Sequence, residues 1–144
     1  MENEIFKALL DLVSLLNRPD RDKKMIANAG VNLEPTTFRV FGGVVHLQPT
    51  SVGDLAAMMG KNYSSVSRQI DKLETAGLVH TYASSADSRI RISELTPYGE
   101  EVYAKISDTR ERIMQEALSD WSQEDRQELL YKLRRLFDSM LKID

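Results

Sequence analysis

Asn62, Ser64, Ser65, Ser67 and Arg68 place an amide, three hydroxyls and a guanidinium within seven residues. Between and beyond them Val66, Ile70 and Leu73 recur at helical spacing. That spacing predicts a helix with those three inward and Ser64, Ser65, Ser67, Arg68 and Lys72 on the opposite face. Asn62 is a good N-cap for it. Just upstream, Ser51 and Asp54 form a loose capping box ahead of Leu55, Ala56, Met58 and Met59. Gly60 then stops that shorter helix, as glycine does where a left-handed conformation is needed. Two helices on so short a turn, the second with hydroxyls and a cation at its exposed start, suit a helix-turn-helix.

Other chemistry is poorly served. No Ser-His-Asp set, metal cluster or glycine-rich phosphate loop is visible, so no catalytic residue, cofactor or metal is assigned. The two histidines, His46 and His80, fall at a helix end and a strand start, at no spacing that suits a metal pair. The carboxylates read as helix-surface charges. The chain has no cysteine, which removes disulfides, thiolate catalysis, a thiol redox switch and cysteine zinc sites.

The elements that must hold the motif follow from periodicity. Ile5, Phe6, Leu9, Leu10, Leu12, Val13 and Leu16 give a helix over 3–16 whose apolar stripe is too wide for a lone surface helix. Pro19 closes it. A short helix carrying Met25, Ile26 and Ala27 ends at Gly30. Pro35 opens another, with Phe38, Phe41, Val44 and Val45 inward. Gly42-Gly43 within it costs about 1 kcal/mol per glycine against alanine, and so implies close helix packing or space for a small ligand. Gln48-Pro49-Thr50 closes this helix and leads into the motif.

After the motif, Ala76-Gly77 stops the second helix. Leu78 to Ala83 reads as a strand, 84–88 as a hydrophilic tip, and Arg89 to Ser93 as an alternating strand: a hairpin wing. Thr96 and Pro97 then begin a helical stretch lined by Val102, Ile106, Ile113 and Met114. Ser122, with Asp125, opens a last helix bearing Leu129, Leu130, Leu133, Leu136, Phe137, Met140 and Leu141. The fold expected is mainly α with a small β-hairpin wing, a winged helix-turn-helix with N- and C-terminal dimerisation helices. It is a single domain over 1–144, with 33–99 as the DNA-binding region and 1–32 and 100–144 as dimerisation helices. Both ends carry more apolar surface than so small a motif can cover. A homodimer solves that, and offers two recognition helices to half-sites roughly 34–36 Å apart.

Charge constrains how such a protein holds nucleic acid. The chain has 144 residues and a formal net charge of −3. Residues 49–99 carry five basic and five acidic side chains. DNA binding must therefore rest on a few well-placed cations and not on a bulk positive field. The N-terminus MENEIFK begins acidic, unlike a signal peptide, and no apolar run approaches the ~20 residues that span a bilayer. A cytoplasmic protein without a membrane partner is expected.

Leu55-Ala56, Gly60, Val66-Ser67-Arg68, Leu73-Glu74, Gly77-Leu78-Val79, Asp87-Ser88-Arg89 and Leu95-Thr96-Pro97-Tyr98-Gly99 stand in one order and spacing. In this the chain resembles the MarR family of bacterial transcriptional regulators. The combination of Asp-x-Arg with Gly-Leu-Val upstream and Leu-Thr-x-x-Gly downstream is the specific part, and residue-level similarity is concentrated in 51–99. The resemblance implies a homodimer of winged-helix subunits with interlocked terminal helices, bound to palindromic operator DNA and often released by a small molecule. Carried over by position, Ser64, Ser65, Ser67 and Arg68 would face the major groove and its phosphates, with Lys61, Asn62, Tyr63 and Lys72 around them. Arg89 would enter the minor groove, oriented by Asp87. Phe38, Phe41, Val45, His46 and Met59 would either line an effector pocket or be plain core. Three positions depart from the family pattern: Thr81 and Tyr82 stand where basic residues are common, and Lys61 where an apolar residue is usual. A sequence-specific regulator, most simply a repressor, is the leading expectation. The alternative is a winged-helix module that binds a ligand or protein and not operator DNA.

Overall fold

Capping and proline set most of the helix boundaries. The computed structural model describes residues 1–143. Its helices are α1 (Glu2–Leu16), α2 (Pro19–Asn28), α3 (Pro35–Leu47), α4 (Val52–Met59), α5 (Tyr63–Thr75), α6 (Pro97–Ala117) and α7 (Gln123–Leu141). Pro19 and Pro35 open α2 and α3 at the first helical position, where a missing N–H costs nothing. Ser51, Asn62 and Ser122 cap α4, α5 and α7, each accepting the N–H three residues on. Gly60 ends α4 at φ 64°, the left-handed conformation that glycine adopts without strain.

The described residues also form three strands: β1 (Thr50–Ser51), β2 (Val79–Ala83) and β3 (Arg91–Leu95). They form one antiparallel sheet in the order β1-β3-β2. Thr81 lies opposite Ser93, and Tyr82 opposite Ile92. The strand expected over 89–93 begins two residues later. Asp87 Oδ1 accepts from the Arg89 N–H at 3.0 Å, and the Asp87 carbonyl from the Ile90 N–H at 3.0 Å, so both N–H groups are committed to the tip turn. The face of β3 turned to the core carries Ser93 and Leu95, not the isoleucines. β1 has no counterpart in the sequence reading, because two residues are too few to show alternation.

The chain divides into two compact units, Met1–Thr109 and Arg110–Asp144, with Asp144, the last residue of the expected dimerisation segment, outside the described residues. In the first unit, Val40, Phe41 and Val44 of α3, Leu55 of α4, and Val66, Ile70 and Leu73 of α5 join Leu78, Val79, Val102 and Ile106 in a single core. Gly43 lies in the α3–α4 contact, where a Cβ would come within 2.6 Å of Leu55 Cδ1. Close packing accounts for that glycine. Gly42 faces open space.

The start of α6 is held more tightly still. Thr96 Oγ1 donates to the Gly77 carbonyl at 2.5 Å and accepts from the Gly99 N–H at 2.9 Å. A Cβ on Gly99 would run into the Leu78 carbonyl oxygen, which is backbone and cannot rotate away. Gly99→Ala should therefore lower stability by about 3 kcal/mol, the upper part of the cost of overpacking, as read by urea denaturation. A loss below about 1 kcal/mol would mean that the wing and α6 separate easily.

The apolar stripes near the ends remain uncovered. Buried side chains are absent from α1, where Ile5, Phe6, Leu10, Leu12, Val13, Leu15 and Leu16 are all exposed. Within the second unit, α7 likewise buries nothing, and Leu130, Leu133, Phe137, Met140 and Leu141 are exposed. Among the described residues no helix is long and apolar enough to cross a membrane.

Candidate nucleic-acid interface

With Val66, Ile70 and Leu73 buried, α5 has its opposite face in solvent. Ser64 and Arg68, four residues apart and so stacked on one face, are exposed. Ser65 and Ser67 are half-buried beside them, and Tyr63 and Lys61 are exposed at the helix start. Asn62 Oδ1 accepts from the Ser65 N–H at 2.7 Å, which commits its oxygen to the cap. Its NH₂ group is a donor that an anion can use. The α5 N-terminus adds its own partial positive charge for a phosphate.

The wing brings Arg89 toward this helix start. Ser51, Val52 and Gly53, Tyr63, and Arg89, Ile90 and Arg91 line one cavity of about 250 Å³. The start of α4, the start of α5 and the wing thus meet at one place. The Arg89 side chain is 89% exposed and carries its own counter-ion. Asp87 Oδ1 accepts from Arg89 Nε at 3.1 Å, and Oδ2 from Nη2 at 3.0 Å. A second bond from the Arg89 backbone N–H to Oδ1 makes this a small closed turn. The two-pronged pairing fixes the guanidinium plane at the tip.

Lys72 stands apart from the other site residues. It lies in the last turn of α5 and pairs with Glu34 at 3.8 Å. Of the five residues considered for an effector pocket, Phe41 is buried in the core, Phe38, Val45 and Met59 pack partly buried against it, and His46 is exposed. His80 pairs with Glu94 across the hairpin at 3.0 Å. Trp121, at the turn before α7, lines an open groove of about 490 Å³ with Asp120, Asp125, Glu128, Leu129 and Lys132. No group of three or more His, Asp or Glu side chains able to hold a metal occurs among the described residues.

The sequence reading gave no role to Arg91. This residue donates to Asp71 Oδ1 at 2.8 Å and lies 3.5 Å from Glu74 Oε1. Thr81, standing where the family pattern has a cation, instead donates its hydroxyl to Glu74 Oε2 at 2.6 Å. The available signal was positional: Arg91 shares a strand face with Ser93 and Leu95, the two buried residues of β3.

The comparisons agree with this geometry. Residues 31–90 match a family model described as the MarR family. The uncharacterized HTH-type transcriptional regulator YdgJ of Bacillus subtilis (strain 168) is 29% identical over 99 residues, which is 69% of this chain and 60% of that protein. A MarR transcriptional regulator from Methanosarcina mazei Go1 superposes with a TM-score of 0.79 at 20% identity, over 99% of each chain. The structure of Staphylococcus aureus MarR in complex with salicylate and kanamycin gives a TM-score of 0.76 at 16% identity, over 99% of this chain and 94% of that one.

The wing-tip pair has a measurable consequence. The Arg89 side chain, and then its backbone N–H, hold the Asp87 carboxyl below its ordinary 3.8. The same contact raises the guanidinium above its ordinary value. A lowered carboxylate value means that the pair is fully present above pH 3.8 and is lost only as pH falls below it. An NMR titration should find Asp87 below 3.8 in the parent and closer to 3.8 in Arg89→Ala. An unchanged value in the variant would show that the pair does not form in solution.

Proposed function

We propose that this chain, whose residues 31–90 match a MarR-family model, is a MarR-type regulator: a homodimeric, sequence-specific DNA-binding protein, acting most simply as a repressor in the cytoplasm. The observation that carries this reading is the joint presentation of two faces. One is the outer face of α5 with Ser64, Ser67 and Arg68. The other is the Arg89 tip, held near the α5 start at a shared cavity. In this reading α5 enters the major groove, where hydroxyls and Arg68 meet base edges and phosphates. Arg89 enters the adjacent minor groove, whose negative potential attracts a guanidinium. Lys61, Asn62 and Tyr63 flank the backbone, Asp87 keeps Arg89 aimed, and Lys72 contributes at the far end of α5.

The dimer follows from burial. Seven large apolar side chains of α1 are exposed. Covering each contributes ~1.5–3 kcal/mol, so α1 alone offers on the order of 10 kcal/mol to an interface. The 1–32 and 100–144 segments supply that interface, and the 33–99 region supplies the DNA contacts. A palindromic operator with one half-site per subunit is the natural target. Release by a small molecule belongs to the same reading. The salicylate-bound Staphylococcus aureus structure supports it by analogy, and Phe38, Val45 and Met59, partly buried against the core, are the side chains that would line such a site.

The test is a fluorescence-anisotropy titration against duplex DNA from upstream of the gene, at two salt concentrations. Binding should be tight, sequence-dependent and salt-weakened, at two subunits per site. Arg68→Ala and Arg89→Ala should each weaken it by roughly 5- to 100-fold, about 1–3 kcal/mol, and leave the dimer intact by analytical ultracentrifugation. Absence of salt-dependent binding by the parent would favour a ligand- or protein-binding module instead.

A further inference from the structure

Recognition helix and wing are joined by one cluster of charged side chains. Arg91 on β3 donates from Nη2 to Asp71 Oδ1 at 2.8 Å, with Glu74 Oε1 at 3.5 Å from the same nitrogen. Its Nη1 lies 3.5 Å from Ser67 Oγ. The second oxygen of Glu74 accepts from Thr81 on β2, through the hydroxyl at 2.6 Å and the backbone N–H at 3.2 Å. Both strands of the wing are thereby tied to three successive turns of α5. Arg91 is only 25% exposed, against 89% for Arg89 two residues away. A guanidinium already shared between two carboxylates has little charge left for a phosphate.

We infer that Arg91 is a positioning residue for DNA binding: it fixes the angle between the wing and α5, so that Arg89 and Arg68 reach their grooves together. The inference rests on the proposed DNA-binding function. Physically it is preorganisation. A wing free to swing would lose that freedom on binding, and the clamp removes the cost beforehand. The device also compensates for Thr81. The neighbouring strand supplies the cation that the departure from the family pattern leaves out, and Glu74 stays neutralised. The planar fork of Arg91 serves two carboxylates from one position, which a lysine ammonium does less well.

The experiment compares Arg91→Gln and Arg91→Lys, each alone and combined with Arg89→Ala. In the free protein, amide hydrogen exchange at Thr81 should rise about tenfold in Arg91→Gln while the amides of the α5 core face stay protected. In anisotropy titrations Arg91→Gln should lose roughly 5- to 50-fold in operator affinity, with Arg91→Lys between it and the parent. The slope of log affinity against log salt should not change, because no phosphate contact is lost. Arg89→Ala should cost less in the Arg91→Gln background than in the parent, since a loose wing no longer delivers Arg89. A slope shallower by about 0.9 per subunit would put Arg91 on a phosphate and overturn the inference. So would unchanged Thr81 exchange, unchanged affinity, or strictly additive costs. A parent that binds DNA beside an unaffected Arg91→Gln overturns this inference alone. A parent that does not bind overturns the proposed function and this inference with it.

Discussion

Val66, Ile70 and Leu73 are wholly buried, and α5 can bury them only against Phe41 and Val44 of α3, Leu55 of α4 and the start of β2. Once that seam is closed, rotation about the α5 axis is no longer free. Ser64 and Arg68 must face outward, because they lie on the other side of a 3.6-residue turn. The Thr37 hydroxyl donates to Gln69 Oε1 at 2.6 Å and pins α5 to α3 at the edge of the seam. Gly43 lets α4 come close enough to share it. The orientation of the outer face of α5 is thus chiefly a consequence of hydrophobic packing.

Cations in this chain divide between structure and surface. Arg39 pairs with the buried Asp22 at 3.0 Å and also donates to the Asn17 carbonyl, which ties α3 to α2 and to the end of α1. Arg91 is shared between Asp71 and Glu74, and Lys72 is paired with Glu34. Lys61, Arg68 and Arg89 are the exposed cations around the start of α5 and the wing tip. A net charge of −3 is compatible with DNA binding on these terms, since screening limits any longer-range field to about 10 Å in ordinary salt. Local geometry then has to carry the affinity, and a rigid wing matters more than it would in a strongly basic protein.

Apolar surface at both ends of the chain sets the other requirement. Inside the first unit Val102 and Ile106 of α6 complete the core. Beyond Thr109 the same helical periodicity continues through Ile113 and Met114, yet both are exposed. The pattern of the sequence does not change along α6. What changes is the supply of neighbours within the unit.

Helix positions were legible in the sequence because they are set locally. Pro19, Pro35, Gly60, Gly77 and the caps Ser51, Asn62 and Ser122 act within a few residues, and the inward face of α5 follows from a 3.6-residue period, whereas in α3 the fully buried Val40 was missed and in α4 Met58 is exposed. The hydroxyl- and arginine-bearing face of α5 and the Asp87–Arg89 tip were legible for the same reason, each lying within one turn or one helix. Tertiary structure alone decided the rest. Strand β3 begins at Arg91 and not at Arg89, since the Asp87 turn takes up the N–H groups of Arg89 and Ile90. β1 exists only because Thr50 and Ser51 find Ser93 and Ile92 from afar. Arg91 gained its role from partners 20 and 17 residues away on another element. Short-range order is written in neighbouring residues, whereas an ion cluster or a strand pairing depends on which distant groups packing brings within about 3 Å.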